Sequence, residues 1–172
     1  HSRGNKLQIN HLAWKYLPKL CLLKECLVRL SLKLRNFYSF SISLNTFRGY
    51  YKEHFLDSSY PYKGIEDVLV YLIGKGYILG VVTNKIDELA LLMVNTFFPG
   101  VFSCVVGDLP TRRKKPHKDM VNVALRRLGS PKKRDVIYIG DSNVDYDTAI
   151  NSEIDVILVS YGYRSYEYLD DY

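Results

Sequence analysis

The stretch VIYIGDSNVDYDTAINS, residues 136–152, decides how this chain is read. VIYI, residues 136–139, has the apolar, β-branched character of a strand. Gly140 lets the backbone turn sharply after it. Asp141 then projects a carboxylate at the strand tip, where a hard oxygen ligand for Mg²⁺ belongs. Asp145, four residues on, can orient that carboxylate's surroundings or hydrogen-bond a nearby lysine. A plainer reading competes: residues 145–151 look helical, and Asp141 and Asp145 would then be an N-cap and a first-turn acid. Taken alone, GDSNVD favours the plainer reading, because a short motif needs its context to agree.

The context lies on both sides. YILGVVT (77–83) is a short apolar run suited to a strand buried on both faces. Residues 102–106 and 156–159 read as two further strands. Helices are expected over 64–74, with Ile65, Val68, Leu69 and Leu72 on one face, over 87–97, and over 121–128, where Val121, Ala124, Leu125 and Leu128 keep helical spacing. Gly74 with Gly76, and Gly129, would end the first and last of these. Apolar strands alternating with helices imply a parallel sheet covered on both faces. In such sheets a ligand sits beyond the carboxyl ends of the strands. That rule selects Thr83-Asn84, Gly107-Asp108, Gly140-Asp141 and Ser160-Tyr161, and a polar residue follows an apolar strand at each.

Two of these regions carry chemistry that matches Asp141. A hydroxyl at Thr83, followed by backbone N–H groups opening a helix, is a natural phosphate cradle; a Thr/Asn turn is the plain alternative. In TRRKKPHKD (111–119), a fixed Lys115 ammonium would neutralise phosphoryl charge. Pro116 would set the backbone at the start of the next helix. A solvated basic loop competes here, since Arg112, Arg113, Lys114 and Lys118 surround the pair. The signals strengthen one another through their order: hydroxyl, lysine, then aspartates, each beside an expected strand.

With these residues in place, the chain resembles the haloacid dehalogenase superfamily, in its phosphoglycolate phosphatase-like branch. YILGVVTNK matches the family's second motif, KKPHKD its third, and VIYIGDSNVDYDTAINS its fourth. YPYKGIEDVL, FFPGVFSCVVG and VSYGYRSYEYL also look like this branch, so the likeness runs from about Tyr50 to Leu169. The resemblance implies a Rossmann-like α/β fold of three layers, a parallel sheet with helices on both faces. It implies Mg²⁺-dependent hydrolysis of a small phosphorylated metabolite through an aspartyl-phosphate. Thr83 would hold phosphate oxygens with Asn84 assisting, Lys115 would balance charge, and Asp141 would ligate Mg²⁺, with Asp145 also at the metal or just behind it. Thr83, Lys115 and Asp145 are thereby the expected catalytic set.

One motif breaks the pattern. The family's first motif, an apolar strand followed by DxDGT, supplies the nucleophile. The sole D-x-D here is Asp145-Tyr146-Asp147, inside the fourth motif, and no aspartate precedes Asn45. The first, central strand is therefore expected to be missing, leaving neighbouring strand edges unpaired, and the chain as it stands is expected to be inactive. A gene-model error, a frameshift or a degraded paralogue would leave such a fragment. The division expected is a basic, leucine-rich helical segment over 1–49, a cap remnant or an unrelated helix, and the α/β core over 50–172. A catalytically dead phosphate- or Mg²⁺-binding module, or a partner subunit, is the alternative function.

The bulk properties limit other classes. The 172 residues are 47% apolar and 24% charged, a globular balance for one domain. The formal charge is +6, yet residues 1–45 alone hold eight basic side chains against the single acid Glu25, so the remainder is slightly acidic. Nucleic-acid binding would rest on that segment alone and ranks last. Cys21, Cys26 and Cys104 form no CxxC or Cys/His cluster, which argues against zinc and disulfides and for a reducing cytoplasm. The leucine-rich run over 17–34 is interrupted by charges and Pro18, so no membrane span is expected. A receiver domain needs an early acidic pair, which is also lacking.

Overall fold

The computed structural model describes residues 59–172 continuously, with residues 46, 49–51, 53, 54, 56 and 57 before them. The helix expected over 19–35 and the ambiguous stretch 36–45 lie outside the described residues. The chain divides into two compact units, with the boundary among the described residues between Tyr60 and Pro61. In the smaller unit the described residues are mostly helical, the Tyr50 and His54 rings stack at 4.2 Å, and His54 Nδ1 lies 2.7 Å from Asp57 Oδ2.

The larger unit alternates helices and strands: α1 (Ile65–Gly74), β1 (Gly80–Ile86), α2 (Asp87–Phe97), β2 (Cys104–Asp108), α3 (Asp119–Arg127), β3 (Ile137–Gly140), α4 (Asn143–Ser152), β4 (Asp155–Leu158) and the short α5 (Tyr166–Leu169). α1 buries Ile65, Leu69 and Leu72, the face that its spacing predicts. Its end is closed at Gly76 (φ 79°), where Tyr77 N–H reaches back to Leu72 O and Gly76 N–H to Ile73 O, a pattern that needs a left-handed residue.

β1 pairs in parallel with β2, and β3 in parallel with β4. Among the described residues these are two separate two-stranded sheets, so β1 and β3 are not hydrogen-bonded to each other. Side chains of β2 alternate between two helical layers, as strand geometry requires. Val105 packs with Ala90 and Val94 of α2 on one face. Cys104 and Val106 pack with Met120 and Ala124 of α3 on the other. A third cluster joins Tyr138 and Ala149 to Val121 and Ile154. Val82 touches both clusters on the α3 side, so one β1 side chain ties together the packing of the two sheets. Helices on both faces of parallel strands are the expected three-layer arrangement.

Two expectations are corrected here. The first strand was expected over 77–83, fully buried. It runs Gly80–Ile86, and its residues are half-buried or exposed. Tyr77 and Ile78 are exposed and precede the strand, because Gly80 is the first residue to pair, with Cys104. The pairing then slips: Val82 faces Val106 and Ile86 faces Asp108, so 83–85 bulge opposite Gly107. Helix α2 opens at Asp87, where its sequence places it. Pro116, in turn, does not start the next helix. It lies in a turn closed by His117 N–H to Lys114 O, joined to Lys115 by a cis peptide, and α3 begins at Asp119.

Candidate active site

The β1 bulge, the β3 tip, the loop after β4 and the β2–α3 loop supply the site, and Asp145 at the start of α4 is its junction. Ser142 caps α4, its hydroxyl accepting from Asp145 N–H. Thus Ser142, rather than Asp141, is the N-cap, and Asp145 is the first-turn acid. For Asp145 the first-turn position and the hydrogen bond to a lysine hold at once, because the cap geometry turns its side chain back toward the β3 tip. There its carboxylate meets four donors. Lys115 Nζ is 2.6 Å and Tyr138 OH 3.3 Å from Oδ1. Ser142 Oγ is 2.6 Å and Asp141 N 3.3 Å from Oδ2. Gly140 permits this fold-back: a Cβ there would overlap Asp145 Cβ.

The Lys115–Asp145 pair is removed from solvent, with side chains 8% and 3% exposed. Burial alone would pull the Lys115 ammonium down, but the Tyr138 phenol and the Asp145 carboxylate outweigh it, and its pKa is raised. Lys115 is therefore a fixed positive charge. Burial, opposed by Lys115 and reinforced by Asp145, pushes the Tyr138 phenol up to about 12, so it stays a neutral donor.

The lysine's backbone is gripped as well. Asn84 accepts from Lys115 N–H at 2.8 Å and donates to Lys115 O at 3.2 Å. This two-way clasp fastens the β1 bulge to the loop that carries Lys115. From the other side Asn151 of α4 donates to Pro116 O at 2.9 Å. Thr83 joins the group through its chain neighbour Asn84. Its own hydroxyl accepts from Lys85 N–H at 3.2 Å, which shapes the bulge. Gly107 faces the bulge because a Cβ there would collide with Asp87 Cα and lie 2.7 Å from Lys85 O.

Asp141 is held from the loop after β4. Tyr163 N–H donates to Asp141 Oδ2 at 2.7 Å, and Arg164 N–H to Asp141 O at 3.2 Å. Hydrogen bonds thus join Asn84, Lys115, Asp145 and Asp141 into one continuous constellation drawn from distant parts of the chain. Tyr138, Ser142 and the Tyr163 backbone were not singled out by sequence reasoning. The phenol in the apolar run VIYI was the available signal for Tyr138; the other two depend on loop geometry.

The donor set bears on Mg²⁺. Among the described residues no group of three His, Cys, Asp or Glu side chains could hold a metal. Mg²⁺ needs only one or two carboxylates when waters and phosphate complete its shell. Asp141, at the strand tip, fits that minimal role. The Asp145 carboxylate is engaged by four protein donors, which suits the anchoring of Lys115.

An α/β fold with a buried Lys–Asp pair beyond its parallel strands is the class that this geometry defines. The family model for haloacid dehalogenase-like hydrolases matches residues 9–159, and the chain belongs to that family. It is 30% identical over 125 residues to the phosphoglycolate phosphatase of Escherichia coli K12, covering 72% of this chain and 49% of that protein. With the phosphoglycolate phosphatase of Rhodobacter capsulatus it shares 36% over 106 residues, 60% of this chain and 46% of the relative. Among solved structures, a Lactobacillus delbrueckii protein provisionally assigned as a phosphoglycolate phosphatase superposes with a TM-score of 0.74 at 37% identity, covering 79% of this chain and 56% of that one. The chain spans about half the length of the curated relatives it matches. The family match reaches back to residue 9, into the segment expected to stand apart from the core.

Proposed function

We propose that this chain is the phosphate- and Mg²⁺-binding part of a phosphatase for small phosphate monoesters, similar to phosphoglycolate phosphatases. The observation that carries the reading is the buried Lys115–Asp145 pair linked to both Asn84 and Asp141. Lys115 would neutralise a phosphoryl oxygen, its charge fixed by Asp145 and Tyr138. The backbone at Thr83 and Asn84 would receive other phosphate oxygens. Asp141 would hold Mg²⁺, which when bound would withdraw charge from the phosphoryl group. Asp145 would act by positioning Lys115 and the Asp141 backbone.

The 172 residues hold no D-x-D after an apolar strand, so the attacking carboxylate of such an enzyme is not among them. This favours a second reading, a catalytically silent phosphate- or Mg²⁺-binding module or partner subunit. The segment 1–49 is read as a remnant of the family's cap, supported by the family match from residue 9, and 50–172 as the core. The described residues contain no helix long and apolar enough to cross a membrane, and the buried free Cys104 suits a reducing cytoplasm. A p-nitrophenyl phosphate assay with Mg²⁺ tests the chain itself. No turnover above background is expected. Mg²⁺-dependent turnover abolished by Asp141→Ala would overturn the silent reading and support the enzyme.

A further inference from the structure

The loop after β4, SYGYRS (160–165), runs beside the carboxylate of Asp141. Three features of that loop converge on one residue, Asp141. The Tyr163 backbone N–H donates to Asp141 Oδ2 at 2.7 Å, a charge-assisted bond of the stronger kind. Arg164 N–H donates to the Asp141 carbonyl at 3.2 Å. Gly162 lies against the same carboxylate: a Cβ built there would overlap Asp141 Oδ2 and Cβ and sit 2.7 Å from Cγ. Gly162 does not occupy the left-handed region, so alanine could adopt its backbone, and the Asp141 side chain stands where its methyl would go. The loop is pinned in turn. The Arg164 guanidinium lies 4.8 Å from the Tyr163 ring centroid and 4.4 Å from that of Tyr168, and Arg164 Nε is buried without a hydrogen-bond partner. Burial of that atom is offset by contact with aromatic faces, so Arg164 acts as a stacked plug rather than an ion-pair donor.

We propose that Gly162, Tyr163 and Arg164 form a strap that fixes the position of the Asp141 carboxylate. Gly162 gives the close approach, the Tyr163 amide fixes Oδ2, and Arg164, clasped between two tyrosines, keeps the loop from lifting. These are positioning residues. The consequence for cation binding rests on the reading of Asp141 as the Mg²⁺-holding carboxylate; the strap itself does not. Tyr163 contributes its backbone N–H and its ring face, both of which phenylalanine keeps, so its hydroxyl can be removed while the Asp141 contact persists.

The test uses the full chain and two readouts. Amide exchange at Tyr163, followed by NMR, reports the strap directly. Asp141→Asn and Gly162→Ala are each expected to speed exchange at Tyr163 on the order of tenfold or more while distant β2 amides keep their rates. Tyr163→Phe should leave it unchanged. Unchanged Tyr163 exchange in Asp141→Asn overturns the strap, and so does unchanged exchange in a folded Gly162→Ala protein. Mn²⁺ binding, read from water-proton relaxation, reports the consequence. Gly162→Ala and Arg164→Ala are expected to weaken it about 10–100-fold, as loss of a supporting contact behind a ligand does. Wild-type Mn²⁺ affinity in Asp141→Asn would instead remove the cation reading of Asp141, with the strap still decided by exchange.

Discussion

Replacing Asp145 by alanine leaves the Lys115 ammonium buried with its counter-charge gone. The lysine side chain is 8% exposed, and Asn84 holds its backbone in place. Tyr138 OH, Ser142 Oγ and Asp141 N–H lose the same acceptor. Breaking a buried pair from one side costs about 3–5 kcal/mol, whereas an exposed pair contributes only about 0–1 kcal/mol. At about 2–4 °C per kcal/mol for a chain of this size, Tm should fall by about 6–20 °C. The double variant Lys115→Met/Asp145→Ala removes both charges and keeps the lysine's volume, so it should be more stable than Asp145→Ala alone. Urea unfolding of wild type, Asp145→Ala, Lys115→Met and the double variant gives the coupling directly. A loss under about 1 kcal/mol in Asp145→Ala, or strict additivity in the cycle, would refute the buried junction.

The same junction sets a pH dependence. The folded protein raises Tyr138 from 10.0 to about 12 and raises Lys115 above 10.5. Both groups hold their protons more tightly when folded, so the associated stability is present below the unfolded values and is lost as pH climbs through the folded ones. Unfolding free energy should decline between pH 10 and about 12, with a shallower slope in Tyr138→Phe; equal slopes would count against a perturbed phenol. The close-approach glycines give a second check. Gly107→Ala and Gly140→Ala place a methyl against Asp87 and Asp145, and each should cost about 1–3 kcal/mol or more. Gly74→Ala meets nothing within 4 Å and should match or exceed wild type in the same thermal melts.

Much of this arrangement is legible in the sequence, for definite reasons. Helix α2 has the predicted bounds because Asp87 and Glu88 mark its positive end and the apolar positions of 87–97 keep one period. β3 and β4 each shift by one residue from expectation, since apolar content locates a strand but hydrogen bonding decides where pairing stops. β1 shifts by three, because YILGVV is apolar on both sides of Gly80 and nothing local announces that pairing begins there or that the chain bulges at Thr83. The site shows the same division. Asn84 and Asp141 are visible as polar residues closing apolar runs, Lys115 as part of a basic run before a proline, and Asp145 by its spacing from Asp141. That Asp145 spends all its acceptor capacity on protein donors is a property of three-dimensional contact, and so is the grip of Tyr163 on Asp141.

The bonds that build the constellation have a kinetic side. Asn84 and Lys115 meet across 31 residues, Lys115 and Asp145 across 30, and Asp141 and Tyr163 across 22. Parallel pairing likewise forces each strand to wait for a helical crossover before its partner arrives. Such contacts are slow to form, because loop closure is unfavourable until the distant groups meet. The charged junction should therefore close late in folding, after α2 and α3 have covered β2. Until then Lys115 and Asp145 remain hydrated. Substitutions there should speed unfolding far more than they slow refolding, a pattern of low φ-values at the site and higher ones around Val106.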